Sequence, residues 1–427
     1  MKNSSSLSRR NIVALAAVSL TTAAFHLPTQ AQSRCDTLSN PKAGEINIIG
    51  NSFPALQHIA KEMESCTKGG LKVQFKMTPQ IKPEVEQAFG STGKSAFDAA
   101  VVSMGVFADL NSRGQLQPMT DLVNKYKAKY KIEDNMLIKV NGEVMAIAFM
   151  QNAQNLFYRK DLFDKHGIKA PATYADMFAA AKILKEKEPG IEFPIAQTFA
   201  KGWDSATEFT NIFAGHGGQF FKPGSAAPDF NSAAGVRALE TMKAMTAYMT
   251  PNYLASNSDD VMNQFQQGKA AMGVLWASRA SRMDDPAASK IVGKMEFAAA
   301  PAVTAGGKAA THLWWDGVAM PKNLAGDRET VFQVLMEALD EDNTRRGNDL
   351  TIWIRSAYKP TRFGNGVAAS AKAGAPIWPT QPYFSLAHGE IGKVLPEVLS
   401  GAMAPKQALD AAAAAYVKVA TEKGFIK

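Results

Sequence analysis

EINIIGNSFPALQHIAKEMESCTKGGLKVQFKMTPQIKPEVEQAFGSTGKSAFDAAVVSM, residues 45–104, switches between two periodicities. Glu45–Gly50 is a short apolar run that reads as a buried strand. Phe53–Cys66 then sets Leu56, Ile59, Ala60 and Met63 on one helical face. Leu71–Met77 alternates Leu, Val, Phe and Met with Lys and Gln, the period-two pattern of a half-buried strand. Pro83–Phe89 reads as a short helix and Phe97–Met104 as a third strand. Strand, helix, strand, helix, strand predicts a parallel sheet covered by helices. Ligands of such sheets sit beyond the carboxyl ends of the strands, which makes Asn51, Ser52, Ser103 and Met104 candidate binding positions.

The pattern resumes downstream. Gly142–Phe149 predicts a strand leading into 150–158, and Asp161–His166 a helix stopped by Gly167. Thr173 is a candidate N-cap for a helix over Tyr174–Lys187, closed by Pro189-Gly190. Helical spacing recurs over Ser232–Tyr248, with Val236, Leu239, Met242 and Met245 on one face. Asp260–Gln267 precedes a strand at Ala270–Leu275. Phe297–Pro301 and His312–Pro321 read as strands, Glu329–Leu339 as a helix, and Pro405–Glu422 as a long alanine-rich helix. A chain of 427 residues, 46% hydrophobic and without internal repeats, can fill two cores.

Lys2, Arg9 and Arg10 precede the apolar stretch Ile12–Phe25, and Thr29-Gln30-Ala31 is a small-x-small cleavage site. Residues 1–31 thus read as a signal peptide, with a mature start at Gln32; Ala31-Gln32-Ser33 offers a second site. Ser8–Val13 resembles a twin-arginine export signal. Arg34 before Cys35 does not fit a lipid-anchor signal. Export into the periplasm would place Cys35 and Cys66, the only cysteines, where a disulfide is the default; two thiols without nearby histidine make a poor metal site. The formal charge is +8, three of the positive charges lying in residues 1–31. No basic stripe is interleaved with aromatics, so nucleic acid is not an expected partner.

Five segments in order carry a family resemblance: Asn141–Phe149, Asn155–Phe163 (NLFYRKDLF), Gly167–Tyr174 (GIKAPATY), Phe265–Met272 (FQQGKAAM) and Val394–Ala414. In this order they resemble family 1 of the extracellular solute-binding proteins, which serve ABC importers. The second matches that family's Tyr-x-Lys-Asp-Leu segment; the third has Tyr174 where the family's turn has Trp. The resemblance implies an α/β periplasmic-binding-protein fold of two lobes with crossing hinge segments at Ala148–Asn152, Trp315–Met320 and near Arg355–Pro360. The N-terminal lobe would hold 36–150 and 318–355, the C-terminal lobe 151–317 and 356–427. It further implies a ligand cleft between the lobes, hinge closure on the solute, no cofactor, and a monomeric receptor whose partner is the permease of the inner membrane.

Candidate ligand contacts follow. Trp276 ends the Ala-Ala-Met strand, where the family places a sugar-stacking aromatic. Trp314, Trp315 and Asp316 lie at the second crossing. On a strand only one of the two indoles can face the cleft, and Trp314 shares its face with Asp316. Trp203, beside Asp204, is read in a loop after Lys201-Gly202, at the rim or in loop packing. Gln151, Asn152 and Gln154 bring amides, which donate and accept together, to the first crossing; solvated hinge polarity is the alternative. Arg355 would hold an anion in the cleft or bridge the lobes by a salt bridge. Trp353 and Trp378 are read as structural. Gly-x-Ser-x-Gly, His-Glu-x-x-His, P-loop and Gly-x-Gly-x-x-Gly motifs are absent, and the six histidines are scattered. A receptor for a sugar, oligosaccharide or polyol is the first reading. A receptor for a charged small molecule, such as a sugar acid or polyamine, and a secreted carbohydrate-active enzyme are the rivals.

Overall fold

The computed structural model describes residues 34–427; the export signal expected over 1–31 and its cleavage site lie outside the described residues. Among these, the strands in chain order are β1 Gly44–Gly50, β2 Leu71–Met77, β3 Ala99–Ser103, β4 Leu137–Val140, β5 Glu143–Asn152, β6 Gln154–Arg159, β7 Met272–Trp276, β8 Met295–Ala298, β9 Trp314–Ala319 and β10 Ile352–Trp353. The larger sheet runs β10-β5-β9-β3-β1-β2 with β4 also on β5; the smaller runs β7-β6-β8.

Local sequence accounts for much of this. In β2, Leu71, Val73 and Phe75 are buried while Lys72, Gln74 and Lys76 are exposed. The helix Pro54–Glu64 starts on proline, which loses no helical hydrogen bond there, and buries Leu56, Ile59, Ala60 and Met63 against the sheet. Thr173 caps the helix Tyr174–Lys187 with a full capping box: its side chain accepts from Asp176 N, and Asp176 Oδ2 accepts from Thr173 N. Cys35 and Cys66 are disulfide-bonded, with Cα atoms 5.1 Å apart. Closing that loop contributes about 3 kcal/mol in the chain-entropy account.

β1 pairs in parallel with β2 and β3, as the alternation over 45–104 predicts. β9 then joins β3 antiparallel, with Ser103 opposite Asp316, and β5 joins β9 the same way. The smaller sheet is antiparallel throughout. Only Ala153 separates the end of β5 in one sheet from the start of β6 in the other. Apolar clusters cover both faces of the larger sheet, around Ile48, Leu56 and Phe332 on one side and Ile49, Phe89 and Leu110 on the other. A third core, around Phe157, Phe209, Leu239 and Tyr416, belongs to the second lobe. Met104, directly after β3, packs into that third core, so the lobes meet through side chains as well as hinges.

Candidate functional site

The candidate site is a cavity where the carboxyl end of β3 faces the second lobe. Ser103 ends β3, and the helix Met104–Ser112 begins at once. Its first turn carries Gly105, close to two indoles. A Cβ built there would stand 3.6 Å from Trp378 Nε1 and 3.7 Å from the Trp314 ring. On the opposite side, Gly202 adopts φ +94°, a conformation strained for any other residue, and turns the chain into the helix Trp203–Gly215. Gly392, in the helix Phe384–Ser400, meets it backbone to backbone: a Cβ on Gly392 would lie 2.5 Å from Gly202 O. That approach sets Trp203 6.0 Å from the His388 ring and Thr207 Oγ1 3.2 Å from His388 Nε2.

The result is an aromatic wall. Trp314 and Trp378 lie 4.1 Å apart at 34°, Trp378 and His388 5.5 Å apart, and Trp203 6.1 Å from Trp314. Ser103, Gly105, Trp203, Trp314, Trp378 and His388 line a cavity of about 200 Å³, and Lys82, Asp109 and Ser385 complete its polar edge. Trp203 is 49% exposed, whereas Trp314 and Trp378 are buried. Burial, with the charge of Lys82 adding, pushes the His388 imidazole down to about 3, so this wall is neutral at physiological pH.

The structure distributes the expected contacts unevenly. Ser103, Trp203 and Trp314 line the cavity. Trp315 points to the other face of β9 and packs edge-on against Phe107, at 5.2 Å. Trp276 sits one layer back. Trp203 stacks on it at 6.1 Å and 24°, and Trp314 meets it edge-on at 5.4 Å, so its faces are taken before a ligand could use them. Trp203 opens a helix where a loop was expected. Trp378, expected to be structural, is part of the wall; Trp353 does stay inside the first lobe, its Nε1 donating to Gly347 O at 2.8 Å.

The polar candidates are mostly spent. Asn152 Nδ2 donates to Ser278 Oγ (3.2 Å) and its Oδ1 accepts from Ala153 N and Ser278 N, pinning the first crossing to the segment after Trp276. Gln154 is buried, donating to Glu208 Oε1 (2.8 Å) and accepting from Asn211 Nδ2 (2.5 Å). Gln151 is exposed outside the cavity, and Asn51 Oδ1 accepts from Ser52 N at 2.7 Å. Arg355 is neither an anion site nor an inter-lobe bridge: its guanidinium donates to the backbone carbonyls of Leu339, Lys131 and Tyr130. Asp316 is half-buried, its carboxylate makes no hydrogen bond or ion pair among the described residues, and burial lifts it to about 7. Arg279, which sequence reasoning missed, holds its guanidinium over the Phe53 ring at 6.0 Å and leaves Nε buried without a partner. Among the described residues no group of three or more His, Cys, Asp or Glu is placed to hold a metal ion.

Residues 50–325 match the family described as bacterial extracellular solute-binding protein. This chain belongs to that family. Among curated members it is 23% identical to the mannitol-binding protein of Pseudomonas aeruginosa over 370 residues, 79% of this chain and 83% of that protein. Solved solute-binding proteins share the two-lobed fold. One from Agrobacterium radiobacter K84 in complex with ribitol superposes with a TM-score of 0.78 at 21% identity, covering 89% of this chain and all of the other. One from Agrobacterium vitis S4 with bound D-mannitol gives 0.76 at 19% identity, covering 90% of this chain and all of the other. The solute-binding family is one of transport receptors rather than enzymes.

Proposed function

We propose that this chain is the periplasmic receptor of an ABC importer and that its cleft holds one short linear polyol, of ribitol or mannitol size. The observation that carries the reading is the cavity itself: about 200 Å³, walled by Trp203, Trp314 and Trp378 and by a neutral histidine. A cavity of about 150 Å³ holds benzene, so this one has room for one monosaccharide-sized molecule and not for an oligosaccharide. Indole faces suit the C–H side of a carbon chain, and Ser103, Ser385 and the His388 edge suit its hydroxyls. The curated mannitol-binding relative and the ribitol and mannitol complexes support the same solute class. On this reading the signal is cleaved near Ala31 and the lobes divide as 36–150 with 318–355 and 151–317 with 356–427. The chain acts as a monomer and passes its solute to a membrane permease without altering it.

A thermal-shift series with ribitol, D-mannitol, maltose and D-gluconate tests this. A polyol present at about 100 times its Kd stabilises by about 2.7 kcal/mol, which is visible as a raised Tm. Stabilisation by maltose with none by either polyol would overturn the reading.

A further inference from the structure

The charged side chains that line the cavity, Lys82 and Asp109, both come from the first lobe, on the helices Ile81–Phe89 and Met104–Ser112. Asp109 is buried, and its Oδ2 pairs with Lys82 Nζ. Lys82 Nζ also lies 2.6 Å from Glu86 Oε1, and Arg113 Nη2 lies 3.3 Å from the same oxygen. The charges therefore alternate outward from the cavity: Asp109, Lys82, Glu86, Arg113. The second lobe reads this chain at one point, where Ser385 Oγ, on the helix Phe384–Ser400, donates to Asp109 Oδ1 at 3.0 Å.

Resting on the reading of the cavity as a polyol site, we infer that Asp109, Lys82 and Ser385 form a cross-cleft clasp that determines specificity: it admits neutral polyols and turns away their acid derivatives. The argument is electrostatic. Lys82 is the cation an aldonate carboxylate would seek, but two carboxylates already hold it. To reach it, the solute must displace Asp109, leaving a buried carboxylate stripped of its ion pair, or else stand beside Asp109 and meet a like charge in a poorly screened space. A neutral hydroxyl breaks nothing; it can add a hydrogen bond to either end of the pair. Because Ser385 belongs to the opposite lobe, its bond to Asp109 forms only when the cleft is closed, so it adds affinity to the closed state while the Asp109–Lys82 pair sets the discrimination.

Titration calorimetry with D-mannitol, and with D-mannonate as competitor, tests the clasp on the full-length mature protein. Asp109→Asn keeps the volume and the acceptor for Ser385 but frees Lys82. The preference for mannitol over mannonate should fall at least tenfold. Ser385→Ala should weaken mannitol about fivefold while leaving the preference as it is. Glu86→Gln, away from the cavity, should lower the preference by a smaller factor, about threefold, and it decides the matter if Asp109→Asn does not fold by circular dichroism. A folded Asp109→Asn protein, or failing that a folded Glu86→Gln protein, with the wild-type preference overturns the inference. So does a Ser385→Ala protein with wild-type affinity. A wild type that binds neither mannitol nor ribitol overturns the polyol reading, and the clasp with it; a wild type that binds mannitol separates the two.

Discussion

The helix Trp203–Gly215 presents two faces with opposite fates. On one, Trp203 stands half-exposed against the cavity and Thr207 bonds His388. On the other, Asp204, Glu208 and Asn211 follow at helical spacing into the second lobe. There Glu208 accepts from Gln154 at 2.8 Å, Gln197 at 2.6 Å and Thr198, while Asn211 bonds Gln154 and, at 2.8 Å, His312 Nδ1. The second face is richer in the residue types that bind hydroxyls, yet Glu208 and Asn211 already spend theirs inside the lobe. Unspent hydrogen-bonding capacity and open ring surface mark the site; polarity by itself does not.

The comparison breaks most visibly at Glu208. Glu208→Ala strips three buried donors of their acceptor and should cost about 3 kcal/mol or more in chemical denaturation, with polyol affinity of the folded protein within about threefold. A stable variant that loses binding would mean that the network faces the ligand. Next in size, Trp203→Ala should weaken polyol binding about thirtyfold, about 2 kcal/mol, with an unchanged circular dichroism spectrum. Trp276→Phe, which keeps a ring behind the wall, should change affinity by less than about threefold; a loss as large as that of Trp203→Ala would move the stacking surface back to Trp276.

A titration sharpens the same contrast. Burial pushes the Glu208 carboxyl up to about 8, against an ordinary value of 4.5. Between those values the folded protein holds a proton that the unfolded chain releases, so stability is full below about pH 4.5 and declines as pH rises toward 8, by about 1 kcal/mol per pH unit. Burial raises Asp316 to about 7 and Asp204 to about 6, and both bend the profile the same way. Melting curves from pH 5 to 8 should therefore fall more steeply for the wild type than for Glu208→Gln; parallel profiles would show that Glu208 is ionised in the fold. The smallest effect belongs to Gln151→Ala, whose exposed amide lies outside the cavity: affinity should stay within about twofold by calorimetry.

Elements with their own local signal were legible in the sequence. β2 and the helices Tyr174–Lys187 and Pro405–Glu422 fall where alternation, the Thr173 cap and Pro405 place them. The helix Trp203–Gly215 was not, for a physical reason. Ser205 through Phe213 are all buried, so the helix has no solvent-facing stripe, and Ser, Thr, Asn and Phe are weak helix formers. Packing against Phe384–Ser400 imposes its conformation. At the site, strand alternation allowed only one of Trp314 and Trp315 to face the cleft and left open which; the structure turns Trp314 to the cavity. Trp378 could not be read from sequence, because it lies between Pro376 and Pro379 and reaches the wall through bonds to Leu313, far away in sequence. Arg355 and Gln154 misled because nothing local shows that their partners, carbonyls in one case and Glu208 in the other, are waiting inside the fold.

The contact of Gly202 with Gly392 leaves no gap between their backbones for either helix to rock. Trp203 and His388, one on each helix, are therefore held together as a single piece of the cavity wall. A solute entering the cavity needs no rearrangement of that pair. In a receptor whose lobes close on the solute, such a surface leaves capture to diffusion into the open cleft and residence time to the rate at which the other lobe lets go. A receptor built this way would tune its affinity through the off-rate, by changes on the lobe that carries Asp109, and leave its landing surface untouched.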